Sequence, residues 1–177
     1  MKALSLTTAL LFLSFAQSSM AGFFDLAPEK LPYAAPDVQF ISNSKPHSLK
    51  EYKGRKVMLW LFSTWCHTCI ASVRLMRDKQ PTWEKTGLVI IALRNYKNGG
   101  YPGPDMATFM KKVAPQIKNK KNWITGEATE EMDQQFNAKK HPDIYFLIDE
   151  NGVVQNVSTA PTATMKKILN FAHGTSR

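Results

Sequence analysis

At 177 residues, with 44% hydrophobic and 21% charged residues, the chain suits one domain with a sizeable core, and its composition excludes a disordered polypeptide. Lys and Arg outnumber Asp and Glu 23 to 14, a formal charge of +9 that favours acidic proteins, anionic membranes or nucleic acid as partners. No basic helix with interleaved aromatic residues is present, so nucleic acid is set aside and a solvated basic surface is the plainer reading.

The opening MKALSLTTALLFLSFAQSSMAGFF places one positive charge at Lys2 before an apolar stretch around Leu10–Ala16, followed by the small-residue site Ser19-Met20-Ala21. This pattern predicts a signal peptide over 1–21, cut after Ala21, and hence an exported, periplasmic protein. The apolar run falls short of the roughly 20 residues that a membrane span needs. Prolines at 28, 32 and 36 make 22–37 an extended arm, leaving 38–177 as the folded domain.

Within that domain VQFIS (38–42) reads as a short strand, followed by a polar turn over 43–47. KVMLWLFST (56–64) is an almost unbroken apolar run, as expected of a strand buried on both faces. Residues 66–79 are predicted helical, with Ile70, Val73 and Met76 on one stripe, and GLVIIALRN (87–95) is a second buried strand. Strand, helix and strand in this order make a right-handed βαβ unit. A loop over 96–104 precedes a helix over 105–113 with Asp105 as N-cap, and Pro115 ends it. A further helix is expected over 127–136, its acids in the first turn. IYFLIDENGVVQNVS sets two strand-like runs around Asn151-Gly152, a hairpin signal, and 162–174 is an amphipathic helix stopped by Gly174. The fold class is therefore α/β, a mixed central sheet flanked by helices.

Both cysteines of the chain lie in STWCHTCIAS (63–72), at Cys66 and Cys69. Exported domains use disulfides as staples, but a bridge three residues long closes too small a loop to add much stability. Structural zinc needs four ligands, and neither a second C-x-x-C nor a paired histidine supplies the other two, so no metal is assigned. Covalent haem attachment needs His directly after the second Cys, where Ile70 stands. A redox dithiol fits best. At a strand-to-helix junction, Cys66 would face the positive end of a helix, which favours thiolate and makes it the attacking nucleophile. Cys69, one turn further in, would be the resolving thiol. His67 adds positive charge if protonated, and Thr68 offers a hydroxyl.

The stretches SLKEYKGRKVMLWLFSTWCHTC and KKHPDIYFLIDENGVV resemble the TlpA-like periplasmic thioredoxins of the ResA and CcmG type over roughly residues 36–173. The resemblance implies a thioredoxin fold and protein disulfide oxidoreductase activity without a cofactor. It also implies a cis bond before Pro142, with Pro142 against the dithiol, where Trp65, His67, Thr68, His141 and Pro142 would shape the substrate site. Implied partners are cysteine-bearing proteins and a membrane thiol-electron carrier of the DsbD or CcdA type; the basic surface points to acidic clients. Two departures stand out. Thioredoxins keep a buried Asp where this chain has Trp60, and ResA-like reductases keep a Glu where it has Ser72. Arg74 also replaces a frequent helix-breaking Pro, and Lys140 a frequent Gly.

With no acid beside the pair, and with His67, Lys139, Lys140 and His141 in the neighbourhood, Cys66 is expected to ionise readily. The couple is then expected above the roughly −270 mV of thioredoxin, nearer the roughly −180 mV of an isomerase. Resemblance leans towards reductase or isomerase work, residue chemistry towards oxidation. A dedicated apocytochrome c reductase and a thioredoxin-fold binding module of an envelope complex are the alternatives.

Overall fold

The computed structural model describes residues 30–175; the expected signal peptide and the first part of the arm lie outside them. In chain order the strands and α-helices are β1 (Tyr33–Ala34), β2 (Gln39–Ser42), β3 (Lys45–Ser48), β4 (Val57–Phe62), α1 (His67–Asp78), α2 (Gln80–Thr86), β5 (Val89–Arg94), α3 (Met106–Val113), β6 (Trp123–Ala128), α4 (Glu130–Phe136), β7 (Asp143–Ile148), β8 (Val153–Ser158) and α5 (Pro161–His173).

The strands form one mixed sheet in the order β1-β8-β7-β4-β5-β6-β2-β3. β4, β5 and β6 run parallel, and the remaining pairs are antiparallel. All six residues of β4 are buried because helices cover both sheet faces. Met58, Trp60 and Phe62 point to a core shared with Val73 and Met76 of α1, Trp83 of α2, Phe109 of α3 and Ile168 of α5. Val57, Leu59 and Leu61 point the other way, to a core with Met132 and Phe136 of α4. The period-2 alternation of side chains across a strand thus sorts one apolar run into two cores.

Most expected elements are present; β1, in the stretch expected as an extended arm, and β6 are additional strands, and three expected elements differ. The polar stretch 43–47 is mainly strand: Asn43 and Ser44 alone make the turn, at φ 49° and 60°, and β3 returns antiparallel to β2. Two left-handed residues between paired strands are the geometry of a tight hairpin, which Asn tolerates. The helix expected from 127 begins at Glu130, because Thr129 caps it by accepting the Met132 N–H (3.1 Å) and residues 127–128 belong to β6. Helix continues past 79 as a second segment, α2, started by Pro81 in its first turn and ended by Gly87 at φ 71°. Asn151-Gly152 does close the β7–β8 hairpin, with the Asp149 carboxylate accepting the N–H groups of Asn151 (2.9 Å) and Val153 (3.0 Å).

Candidate active site

β4 delivers the chain to the dithiol, and the loop after it is held rigidly. The Ser63 N–H donates to the Pro142 carbonyl (2.9 Å), joining the exit of β4 to the entrance of β7. Buried Asn98 then fixes the next residue: its Oδ1 accepts the Thr64 N–H at 2.8 Å, and its Nδ2 donates to the Tyr101 carbonyl at 3.0 Å. Lys97, Asn98 and Gly99 reach this position through three consecutive left-handed conformations (φ 49°, 57° and 69°). The Trp65 indole N–H donates to the Asn98 carbonyl (2.9 Å), and its ring meets Tyr101 edge-on at 5.0 Å. Both rings are among the exposed large apolar side chains.

Cys66 is the N-cap of α1, and its Sγ accepts the Cys69 N–H at 3.3 Å. Cys66 and Cys69 are joined as a disulfide. The two sulfurs are not equivalent: Cys66 is 6% exposed and Cys69 fully buried, so an attacking group reaches Cys66. A sulfur at a helix N-terminus faces unpaired N–H groups and the positive end of the dipole, which stabilises a thiolate after reduction. The Thr68 hydroxyl lies 3.2 Å from Cys66 Sγ, a further hydrogen-bond partner. His67 is exposed at the first turn.

Pro142 lies against the pair, with its carbonyl oxygen 3.6 Å from Cys69 Sγ. The expected cis bond before it is corrected, however: among the described residues the cis peptide is Leu31–Pro32, and His141–Pro142 is trans. Proline leaves the two isomers within about 1 kcal/mol, so local hydrogen bonds decide. Here the His141 carbonyl accepts from Asn95 Nδ2 (3.1 Å) and Asn137 Nδ2 (2.9 Å), and the His141 N–H donates to Asn137 Oδ1 (2.8 Å). Those contacts fix the orientation of the His141 peptide groups.

Two expectations about charge also change. Lys140 is paired with the carboxylate of Asp133 rather than standing free beside Cys66. A buried acid shares the sheet face on which the pair is packed: Asp143, the residue after Pro142, is 7% exposed. Its Oδ1 accepts the Trp60 indole N–H at 2.7 Å, and its Oδ2 accepts the Ala160 N–H at 3.2 Å. Burial pushes its pKa above the ordinary carboxylate value, against the downward pull of those two donors. Trp60 therefore does not remove the acid from this layer but donates to one on the neighbouring antiparallel strand.

The site brings together Trp65, Cys66, Thr68, Cys69 and Pro142. His141 contributes through its backbone. Asn95, Asn98, Asn137 and Asp143 were not anticipated; Asn95 and Asn98, in the loop right after β5, were the accessible signal, since βα loops of such sheets carry functional residues.

A family model described as Redoxin matches residues 31–170. The thiol-disulfide oxidoreductase ResA of Geobacillus kaustophilus (strain HTA426) is 27% identical over 113 residues, covering 64% of this chain and 59% of that relative's length. A thiol:disulfide interchange protein of the thioredoxin family from Chlorobium tepidum TLS superposes with a TM-score of 0.62 at 24% identity, over 80% of this chain and 96% of that one. A putative thiol:disulfide interchange protein DsbE from Chlorobium tepidum superposes with a TM-score of 0.61 at 21% identity, over 79% and 96%. The mixed sheet, its flanking helices and the dithiol at the start of α1 constitute a thioredoxin-like fold.

Proposed function

The chain belongs to the Redoxin family, and from that premise we propose that it is a periplasmic thiol–disulfide oxidoreductase acting on exported proteins through Cys66 and Cys69. The observation that carries this reading is the asymmetry of the pair: Cys66, 6% exposed, caps α1, and Cys69, fully buried, lies a turn behind it. In the reducing direction, the Cys66 thiolate attacks a client disulfide and forms a mixed disulfide, releasing one client thiolate. Cys69 then attacks Cys66 Sγ, the bond from Cys66 to the client breaks, and the second client sulfur leaves. The client gains two electrons and the enzyme holds the Cys66–Cys69 disulfide. The reverse sequence oxidises a client dithiol.

We favour the reducing direction. Lys140 is engaged by Asp133, and Asp143 is buried in the adjoining layer. A nearby carboxylate disfavours thiolates, and that makes the disulfide form comparatively stable and the couple more reducing. Regeneration falls to a membrane thiol-electron carrier of the DsbD or CcdA type. The names of the relatives support the chemistry, and the leader-like residues 1–21 support export. Trp65, Tyr101 and the backbone at His141–Pro142 frame the surface on which a client would lie, with Thr68 and His67 at its rim. The charge of +9 favours acidic clients.

Reduction of insulin by dithiothreitol tests the proposal. The wild type should accelerate precipitation of the insulin B chain, and a Cys66→Ser, Cys69→Ser double variant should not; equal rates would discard catalysis and leave a binding module.

A further inference from the structure

Asp143 has a setting that strand-to-helix architecture does not require. Register places it opposite Phe62, and Trp60 opposite Tyr145, on antiparallel strands. Side chains alternate along a strand, so Asp143 shares the sheet face of Trp60, Phe62 and Tyr145, the face on which Cys66 and Cys69 are packed. Capping the entry to α5 takes one carboxylate oxygen, at the Ala160 N–H; the other is turned to the Trp60 indole beneath α1.

A second polar atom lies in the same apolar layer. Ser72 is fully buried, and its Oγ lacks a hydrogen-bond partner among the described residues. It stands three residues after Cys69, on the same stripe of α1. The immediate neighbour of Cys69 Sγ is the Pro142 carbonyl, which can accept a hydrogen bond but not keep a proton. A carboxylate can keep one, and the carboxylate belongs to the very next residue.

We propose that Asp143 is the proton acceptor for Cys69 when the mixed disulfide is resolved, an assignment that rests on the oxidoreductase reading. The step balances as follows. Cys69 S–H gives its proton to the Asp143 carboxylate; the resulting thiolate attacks Cys66 Sγ; the bond between Cys66 and the client sulfur breaks; and the client leaves as a thiolate, which takes a proton from solvent. Asp143 returns its proton to water afterwards. The titratable groups packed on the sheet face that carries Asp143 are Cys66 and Cys69 from α1 and Tyr145 from its own strand, whose hydroxyl donates to Thr164 Oγ1 (2.7 Å). Arg74 of α1 and Lys166 and Lys167 of α5 are exposed on the far sides of their helices.

The test uses reduced protein mixed with oxidised glutathione, acid-quenched and weighed by mass spectrometry, so that formation and resolution of the mixed disulfide are followed separately from pH 5 to 8. In the wild type the mixed disulfide should be transient, with a resolution rate that rises with pH through an extra titration. In D143N the first step should not slow, since the carboxylate that disfavours the Cys66 thiolate is gone, whereas resolution slows by at least tenfold at pH 7 and the extra titration disappears. W60F keeps the carboxylate but removes a donor to its charged form, so its titration should move to higher pH, a shift that a merely structural role would not produce. D143N resolving at the wild-type rate at every pH, or a W60F profile superposing on wild type, overturns the assignment alone. A wild type that forms no mixed disulfide overturns the oxidoreductase reading and the assignment with it.

Discussion

Burial holds the Asp143 carboxyl above its ordinary pKa, and this has a consequence for folding that is independent of catalysis. The folded chain keeps the proton at pH values where the unfolded chain has lost it. Stability therefore falls as pH rises from about 3.9, the ordinary Asp value, through the folded-state value, and then levels off. Asp143→Asn has no such slope. Urea denaturation between pH 3.5 and 8 should show the wild type losing stability relative to D143N as pH rises, and parallel profiles would contradict this account. Cys66 and Cys69 were legible in the sequence because two thiols at that spacing, with no second pair of metal ligands and no haem-attachment His, fit a redox couple best. Asp143 was not, because an Asp directly after Pro reads as turn chemistry. Its partner Trp60 is 83 residues away, and only the pairing of β4 with β7 brings the two together.

The elements that carry the site are the end of β4, the start of α1 and the 95–104 loop, and the loop's function is to hold Thr64 still. Gly103 sets the tolerance of that arrangement: a Cβ there would lie 2.5 Å from Asn98 Nδ2 and 2.8 Å from Thr64 Oγ1. Gly103→Ala should therefore displace Asn98, leave the buried Thr64 N–H without its acceptor and cost about 1–3 kcal/mol. Hydrogen exchange at Thr64 and chemical denaturation check this; wild-type protection and stability would mean the loop does not position the dithiol. Apolar runs and helix caps made β4, β5, α1, α3 and α5 readable. β6 was missed because WITGEA mixes polar residues with a glycine. The reason for that glycine lies in another strand, since a Cβ at Gly126 would sit 2.0 Å from the Ile41 carbonyl oxygen.

Across the whole molecule, the parallel β4–β5–β6 centre is covered on both faces, and the edges are the two-residue β1 and the four-residue β3. Short edges limit unwanted strand pairing. Fold class and the identity of the redox couple followed from hydrophobic period and cysteine spacing, which are local properties. The charged surroundings of the pair did not, because they depend on long-range pairing: Lys140 is drawn to Asp133, and Asp143 is buried beside Trp60. Among the described residues no helix is long and apolar enough to cross a membrane. The central claim is that Cys66 attacks and Cys69 resolves, and a Cys69→Ser chain expressed in the periplasm tests it most directly. Non-reducing gels should capture client proteins as mixed disulfides on Cys66 that dithiothreitol releases and that vanish when Cys66 is also replaced. Captured proteins that persist in the Cys66→Ser, Cys69→Ser chain, or none at all with Cys69→Ser, would contradict it.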